Sequence, residues 1–236
     1  MGRRNAVIRE GALLHIKHLA LFVLLVVVLG SILSVSSCTS LQRDPTPTPS
    51  SEHGGQIPGE TAVEDQSNDL SYLIESDPAV VDNSNLPVTP IEDLHLTGEA
   101  PEVDIAQYRL IIDGLVETEL SLTYDTLLEY PTVTGVVLLI CPFIFADNAE
   151  WTGIPVTTLL AEVGIKPQAT HLVFYSFDGH YKKTLLLEDI QHDGVFLAHT
   201  VNGQVLPVEH GFPLRLVVQG DYGNMWVKWV DRIEVK

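Results

Sequence analysis

Short apolar runs, each bounded by turn residues, form the main pattern in the C-terminal half of the chain. The clearest run, 136–140, lies between Gly135 and Pro142 and carries Cys141 at its end. Runs of this length predict buried strands, because a helix needs more residues. Similar patterns predict further strands at 108–116, 172–176, 181–187, 214–218 and 227–235.

Two short helices are predicted between these strands. Thr123 can cap the first, at 124–130, and Pro131 ends it. Pro155 suits the first turn of the second, whose apolar stripe stops at Gly164. Many strands with few helices predict an α+β domain that is mostly β.

Turn signals and composition divide the chain into three segments. Asp113-Gly114 and Asn202-Gly203 are typical of β-hairpin turns and lie within the folded part. We predict a signal or lipoprotein segment at 1–37, an acidic linker at 38–104, and a folded domain at 105–236.

The first segment is typical of an exported protein. A basic N-terminus precedes a long apolar stretch, which ends in Val35-Ser36-Ser37-Cys38. This ending resembles a bacterial lipobox and predicts that Cys38 is lipidated. The alternative is a plain N-terminal membrane anchor, because the apolar stretch approaches the ~18 residues of a spanning helix. Arg3-Arg4 is a weak signal for twin-arginine export.

The linker is rich in Pro, Thr and Ser and strongly acidic. Residues 39–104 contain fourteen acids and one base, within a chain of net charge −18. Such a composition predicts a disordered spacer, since it buries too little apolar surface to offset the ordering entropy. Residues 91–104 are the exception, because Leu94, Leu96 and Val103 could form short edge strands. The overall acidity argues against nucleic-acid binding, which favours a basic face.

Cys141 is the only cysteine outside the N-terminal segment. One interpretation is a small buried hydrophobe packed in the core. The other is a thiolate at the edge of the core that acts as a metal ligand or a nucleophile. A disulfide with Cys38 is a third interpretation, which lipidation of Cys38 would prevent.

A series of short motifs follows one another in a fixed order from Tyr108 to Lys236. They are Cys141, Trp151-Thr-Gly-Ile-Pro155, Leu159-Leu160, Ser176-Phe-Asp-Gly179, Leu197-Ala198, Asn202-Gly203, His210-Gly-Phe-Pro-Leu-Arg215, Tyr222-Gly223 and Val227-Lys228-Trp229. Their order and spacing resemble the sulfite oxidase superfamily of molybdopterin-binding oxidoreductases. The bacterial branch that includes the methionine-sulfoxide reductase catalytic subunit is particularly similar.

This resemblance implies a sulfite-oxidase-type fold, a molybdopterin cofactor and a set of site residues. Cys141 would be the protein thiolate on molybdenum, a soft ligand suited to a metal already held by a dithiolene. Arg215 and Lys228 would hold the phosphate of the pterin, as a planar fork and a point charge can. The resemblance assigns the remaining cofactor contacts to Ser176, His210, Trp226 and Val227, and leaves Trp151 and Trp229 in the core.

The chain also departs from the family pattern. Met225 stands where the family often has lysine, and Phe143 where a glycine often follows Cys-Pro. The upstream Asn/Tyr/Asn cluster of the reductase branch has no match in 94–104. His95, His180 and His199 match no family motif, and we expect surface or structural positions for them.

We therefore expect a membrane-tethered, extracytoplasmic oxidoreductase that transfers an oxygen atom to or from a small-molecule substrate. Electrons would pass to or from a separate haem or quinone protein, because the chain has no CxxCH motif. The alternative is a cofactor-free lipoprotein that keeps the fold as a binding module. The apolar and acidic segment 142–150 offers no arginine for sulfite, which favours a neutral substrate such as a sulfoxide.

Overall fold

The structure is a computed structural model that describes residues 69–190 and 192–236. It contains ten strands: β1 Leu110–Gly114, β2 Leu120–Leu122, β3 Val133–Cys141, β4 Phe145–Pro155, β5 His171–Ser176, β6 Lys182–Leu186, β7 Val195–Val201, β8 Gln204–Val205, β9 Arg215–Val218 and β10 Val230–Val235. The two α-helices are α1 Tyr124–Leu127 and α2 Val156–Val163. The predicted signal segment and Cys38 lie outside the described residues. No helix in the described ranges is long and apolar enough to span a membrane.

The strands form two sheets, as expected for a mostly-β domain. One has the order β2-β1-β10-β5-β6, with β1 and β10 parallel. The other has the order β3-β4-β7-β8, and β9 also pairs with β7. One apolar core contains buried residues from both sheets and from α2. The Asn202-Gly203 turn joins β7 to β8, and positive φ angles of 48° and 71° match the hairpin turn predicted there.

Strand β4 is a correction to the sequence analysis, which predicted no strand between Cys141 and the second helix. It is 11 residues long and pairs with all of β3, from Val133↔Gly153 to Cys141↔Phe145. The sequence did not predict this strand, because it contains the polar residues Asp147 and Asn148, whereas buried strands are normally apolar. Both side chains are buried and form hydrogen bonds with residues from the predicted linker.

Residues 69–90 correct the prediction that the linker is disordered up to about residue 90. Leu70 and Leu73 are buried against Ile140 of β3 and Ala146 of β4. This part of the chain is rich in acids, but it buries Leu70 and Leu73 on a surface that the β3–β4 hairpin provides. Composition alone does not reveal such a distant partner.

Polar contacts fix this upstream segment to β4. The main-chain N–H of Thr89 donates to the carbonyl oxygen of Asn148 at 2.7 Å, and the Asn148 N–H donates to Thr89 Oγ1 at 3.1 Å. The edge strands predicted within 91–104 do not form. Ile91–Asp93 is instead a 3-10 turn, after which Leu94 is buried.

A close contact between β4 and β7 requires glycine at position 153. A Cβ atom there would lie 2.1 Å from the carbonyl oxygen of Leu197. The register between β4 and β7 shifts at Thr152/Gly153. This contact aligns β7, and with it β9, which begins at Arg215.

Candidate active site

A cavity of about 400 Å³ opens beside the end of β3. Strands β3 and β5, the start of β9 and the segment before β10 all contribute side chains to it. Five predicted site residues line this cavity together: Cys141, Ser176, Arg215, Trp226 and Lys228. The other residues that line it are Thr97, Gly98, Leu139, Phe145, Asp178, His180, Tyr181, Gly223, Asn224 and Trp229.

Cys141 presents a half-buried thiol at the last position of β3. A tight turn follows, in which the Ile144 N–H donates to the Cys141 carbonyl oxygen at 3.0 Å. Burial raises the pKa of the Cys141 thiol above its ordinary value. The side chain therefore stays protonated at neutral pH until a metal displaces the proton.

Arg215 places a buried positive charge beneath the cavity. Its Nη1 donates to the carbonyl oxygen of His210 at 2.8 Å. Its guanidinium lies 5.1 Å from the ring centre of Trp151 and 5.3 Å from that of Trp226, within range of cation–π attraction. Burial lowers the pKa of Arg215 to about 10, and Asp147 opposes that shift. The side chain thus remains charged at neutral pH.

Lys228 adds a second cation and connects the cavity to the upstream segment. Its Nζ donates to the carbonyl oxygens of Thr97 and Glu209, at 2.7 Å each. Burial, and then the charge of Arg215, lower the pKa of Lys228 to about 8. A bound anion would hold the ammonium in its charged form and so would be favoured at this position.

Two buried polar atoms at the cavity have no hydrogen-bond partner within the described part of the chain. They are Oγ of Ser176 and Nε of Arg215. A buried polar group without a partner costs about 1–3 kcal/mol, so native proteins rarely keep one without a function. Both residues line the cavity, so a small rotation of either side chain would bring these atoms to a ligand bound there.

The structure places two predicted site residues differently. His210 is buried and does not line the cavity. Burial and the charges of Arg215 and Lys228 lower the pKa of His210 to about 4, so its ring is neutral at pH 7. Val227 is also buried, and its carbonyl oxygen accepts from the N–H of Leu216 at 2.8 Å. Both residues support the cavity wall from behind.

Sequence reasoning missed several residues at the cavity mouth. His180, expected at a surface or structural position, is exposed but lines the mouth together with Asp178 and Tyr181 from the β5–β6 turn. This turn joins two predicted strands, but the sequence did not predict that it lines the same cavity as Cys141. Thr97 matches no motif and is positioned through its contact with Lys228.

The other two unassigned histidines, and Met225 among the departures from the family pattern, do not line the cavity. His95 pairs with the buried carboxylate of Asp147 at 2.8 Å and stacks on Phe145 at 4.6 Å. His199 is buried, which lowers its pKa. Met225 packs against the apolar core and does not line the cavity. Trp229, expected in the core, is buried and also lines the cavity.

A protein-family model described as "Oxidoreductase molybdopterin binding domain" matches residues 97–236. This match covers more than half of the chain and includes every residue around the cavity. The chain belongs to this family of molybdopterin-binding oxidoreductase domains. This match, together with the structural likeness to a solved relative, confirms the sulfite-oxidase-type fold predicted from the motifs.

Three related proteins illustrate the breadth of this family. The chain is 30% identical over 176 residues to an NADPH nitrate reductase of Phytophthora infestans, covering 58% of this chain and 18% of that protein. It is 30% identical over 145 residues to the protein-methionine-sulfoxide reductase catalytic subunit of Gluconobacter oxydans, covering 54% and 46%. The solved sulfane dehydrogenase SoxCD of Paracoccus pantotrophus is 36% identical, with a TM-score of 0.55, covering 58% of this chain and 40% of that one. The shared region thus spans half or less of each of these relatives.

The residues around the cavity fit a molybdopterin. No group of three or more His, Cys, Asp or Glu side chains able to hold a metal exists within residues 69–190 and 192–236. A metal at Cys141 would therefore need most of its ligands from an organic group, as a dithiolene provides. Arg215 and Lys228 supply positive charge for its phosphate, and the unpartnered atoms of Ser176 and Arg215 supply free hydrogen-bonding capacity.

Proposed function

We propose that this domain is a molybdenum-dependent enzyme that reduces a neutral sulfoxide-type substrate outside the cytoplasm while tethered to a membrane. The observation that carries the proposal is the convergence of one thiol, two cations and two unpartnered polar atoms on a single cavity. Bound there, molybdopterin would supply oxygen-atom transfer coupled to two electrons. The family match supports the cofactor and the general class of reaction.

Each residue of the cavity has a distinct part in this proposal. Cys141 holds the metal through its thiolate at the inner end of the mouth. Ser176 Oγ and the Arg215 guanidinium orient the pterin, and the Lys228 ammonium neutralises its phosphate. Trp226 forms the wall beside Arg215, with its ring centre 5.3 Å from the guanidinium, and shields this charge from solvent on that side. The exposed imidazole of His180 can deliver a proton to the oxygen that leaves the substrate.

The charge distribution at the mouth favours a neutral substrate. Arg215 and Lys228 already bond to main-chain carbonyls, and the proposed pterin would use their remaining capacity. The groups left at the mouth are Asp178, His180, Tyr181 and Asn224, of which one is anionic and none carries the permanent positive charge of a lysine or arginine. An anion such as sulfite would meet repulsion there, whereas a sulfoxide oxygen can accept hydrogen bonds without that cost.

The membrane tether and the electron partner are further parts of this proposal. The apolar segment that ends at Cys38 supports a lipid anchor, which would keep the domain outside the cytoplasm at the membrane surface. The chain carries no CxxCH motif, which supports electron supply by a separate haem or quinone protein.

Activity with a chemical electron donor tests the proposed reaction directly. The purified holoprotein should oxidise reduced benzyl viologen when methionine sulfoxide or dimethyl sulfoxide is added. It should not reduce ferricyanide in the presence of sulfite. A molybdenum-loaded protein that oxidises sulfite faster than it reduces either sulfoxide would contradict the proposed substrate class and leave the cofactor assignment intact.

A further inference from the structure

Two large apolar side chains project into solvent directly beside Cys141. Phe143 is 74% exposed and Ile144 is 70% exposed. Both belong to the tight turn between β3 and β4, and we call these two residues the hairpin tip. Isolated apolar residues on a surface need no explanation, but an adjacent exposed pair in the turn that directly follows the cavity residue Cys141 is typical of an interaction surface.

The backbone of the hairpin tip makes this exposure more unusual. Phe143 has a φ angle of 63°, in the left-handed region that glycine or asparagine normally occupies. It follows Pro142 in a turn closed by the bond from Ile144 N–H to the Cys141 carbonyl oxygen. Glycine would suit this position better for folding. Phenylalanine thus stands at a position that is both strained and exposed, which points to a function for its ring.

An acidic segment lies against the hairpin tip. The Phe143 N–H donates to the carbonyl oxygen of Ile74 at 3.1 Å. We call residues 69–77 the acidic strap, because Asp69, Glu75 and Asp77 are exposed within it. The wider stretch 69–104 contains nine acids and no lysine or arginine. The apolar tip is thus flanked by negative charge without a neighbouring cation in the same stretch.

We propose that the hairpin tip and the acidic strap form the docking surface for an electron-carrier protein with a basic surface around its redox centre. This proposal rests on the proposed function, in which a sulfoxide, two protons and two electrons give a sulfide and water. The carrier supplies the two electrons in successive one-electron encounters beside Cys141. Opposite charge speeds the encounter, and a small apolar contact completes a short-lived interface.

The same charge argues against two other occupants of this surface. A second copy of the chain would bring one acidic strap against another acidic surface, since the whole chain has a net charge of −18. A bilayer rich in anionic lipids would likewise repel the strap. A basic protein is the occupant that the charges favour.

Stopped-flow mixing of stoichiometrically reduced holoenzyme with oxidised mitochondrial cytochrome c, a lysine-rich haem protein used as a probe, tests the role of the hairpin tip. Electrons run here from enzyme to carrier, but transfer in either direction needs the same docked complex. The double variant Phe143→Gly/Ile144→Ser should lower the second-order rate constant at least about tenfold. Its molybdenum content and its viologen-linked sulfoxide reduction should be unchanged, since a small dye needs no docking surface. Its unfolding midpoint should not fall, because glycine relieves the strain at position 143. An unchanged rate constant with cytochrome c would overturn the role of the tip.

Charge variants test the acidic part. Asp69→Asn/Glu75→Gln/Asp77→Asn should slow the reaction with cytochrome c at low ionic strength and flatten its salt dependence. A matched control removes three exposed acids in and next to β2 and α1, outside both the acidic strap and the hairpin tip. It carries Glu119→Gln, Asp125→Asn and Glu129→Gln. Equal effects of both triple variants would show that only the overall charge matters and would overturn the assigned surface.

Two other results would also reject this partner. Slower reduction of a sulfoxide-containing polypeptide by the tip variant, with normal transfer to cytochrome c, would assign the surface to a protein substrate. A dimer that the strap variant dissociates would assign it to a second copy. A protein without molybdenum would instead fail in the viologen assay, so failure of the proposed function is recognised separately.

Discussion

Replacing Cys141 with serine is expected to remove molybdenum from the protein and to abolish sulfoxide reduction, while the domain stays folded. Loss of a residue that merely orients a ligand already costs about 10–100-fold in metal affinity or activity, so loss of the ligand itself should cost more than about 100-fold. The stability cost should be small, about 1 kcal/mol, because the position is half-buried and the hydroxyl can reach water.

Molybdenum content, viologen-linked activity and the urea unfolding midpoint of the Cys141→Ser variant check this prediction together. Cys38→Ala is the matched control, because it removes the other cysteine of the chain and should leave all three values unchanged. A serine variant that keeps its molybdenum and turns over at the wild-type rate would show that Cys141 is a packing residue.

Replacing Arg215 with methionine is expected to abolish cofactor retention and yet to stabilise the apo-protein. Burial lowers the Arg215 pKa to about 10, so folding disfavours the charged form at every pH below that value, including neutral pH. No carboxylate forms an ion pair with Arg215 within the described ranges. A neutral side chain of similar length removes the burial cost, which should raise the free energy of unfolding by roughly 1–3 kcal/mol.

The same substitution removes a charge-assisted contact to the cofactor phosphate. Such contacts contribute about 1.5–3 kcal/mol each, so the affinity of the protein for the cofactor should fall by roughly 10–150-fold. Pterin fluorescence after oxidation, measured with molybdenum content, follows retention, and urea unfolding of the apo-protein follows stability. Arg232→Met is the matched control, because Arg232 pairs with Asp113 at 2.9 Å on a strand away from the cavity. Lower apo-protein stability with normal cofactor content would assign Arg215 to the fold alone.

Part of the fold and part of the site can be predicted from the sequence. The apolar run before Cys141 and the Asn202-Gly203 turn were predictable, because each depends on neighbouring residues only. Thr123 was likewise predictable as a helix cap, and its Oγ1 accepts from the Thr126 N–H at 3.1 Å. The ordered motifs, rather than any single residue, predicted that Cys141, Arg215 and Lys228 belong to one site.

The features missed by the sequence analysis all depend on distant partners. Asp147 and Asn148 are poor strand residues by composition, but contacts from the upstream segment satisfy their polar atoms. The acidic strap looks like a spacer until the apolar surface of the β3–β4 hairpin is known. His180 had no recognisable partner in sequence, because only the fold brings its turn over the cavity. Local pattern carries no information about such pairings.

The molybdenum content of the purified, exported wild-type protein tests the central claim most directly. The proposed function predicts about one molybdenum per chain, with a pterin in equal amount, because Cys141 provides the protein ligand and the cavity binds the organic part. An exported, folded protein that contains no molybdenum and no pterin would contradict it. That result would favour a cofactor-free lipoprotein that keeps the fold as a binding module.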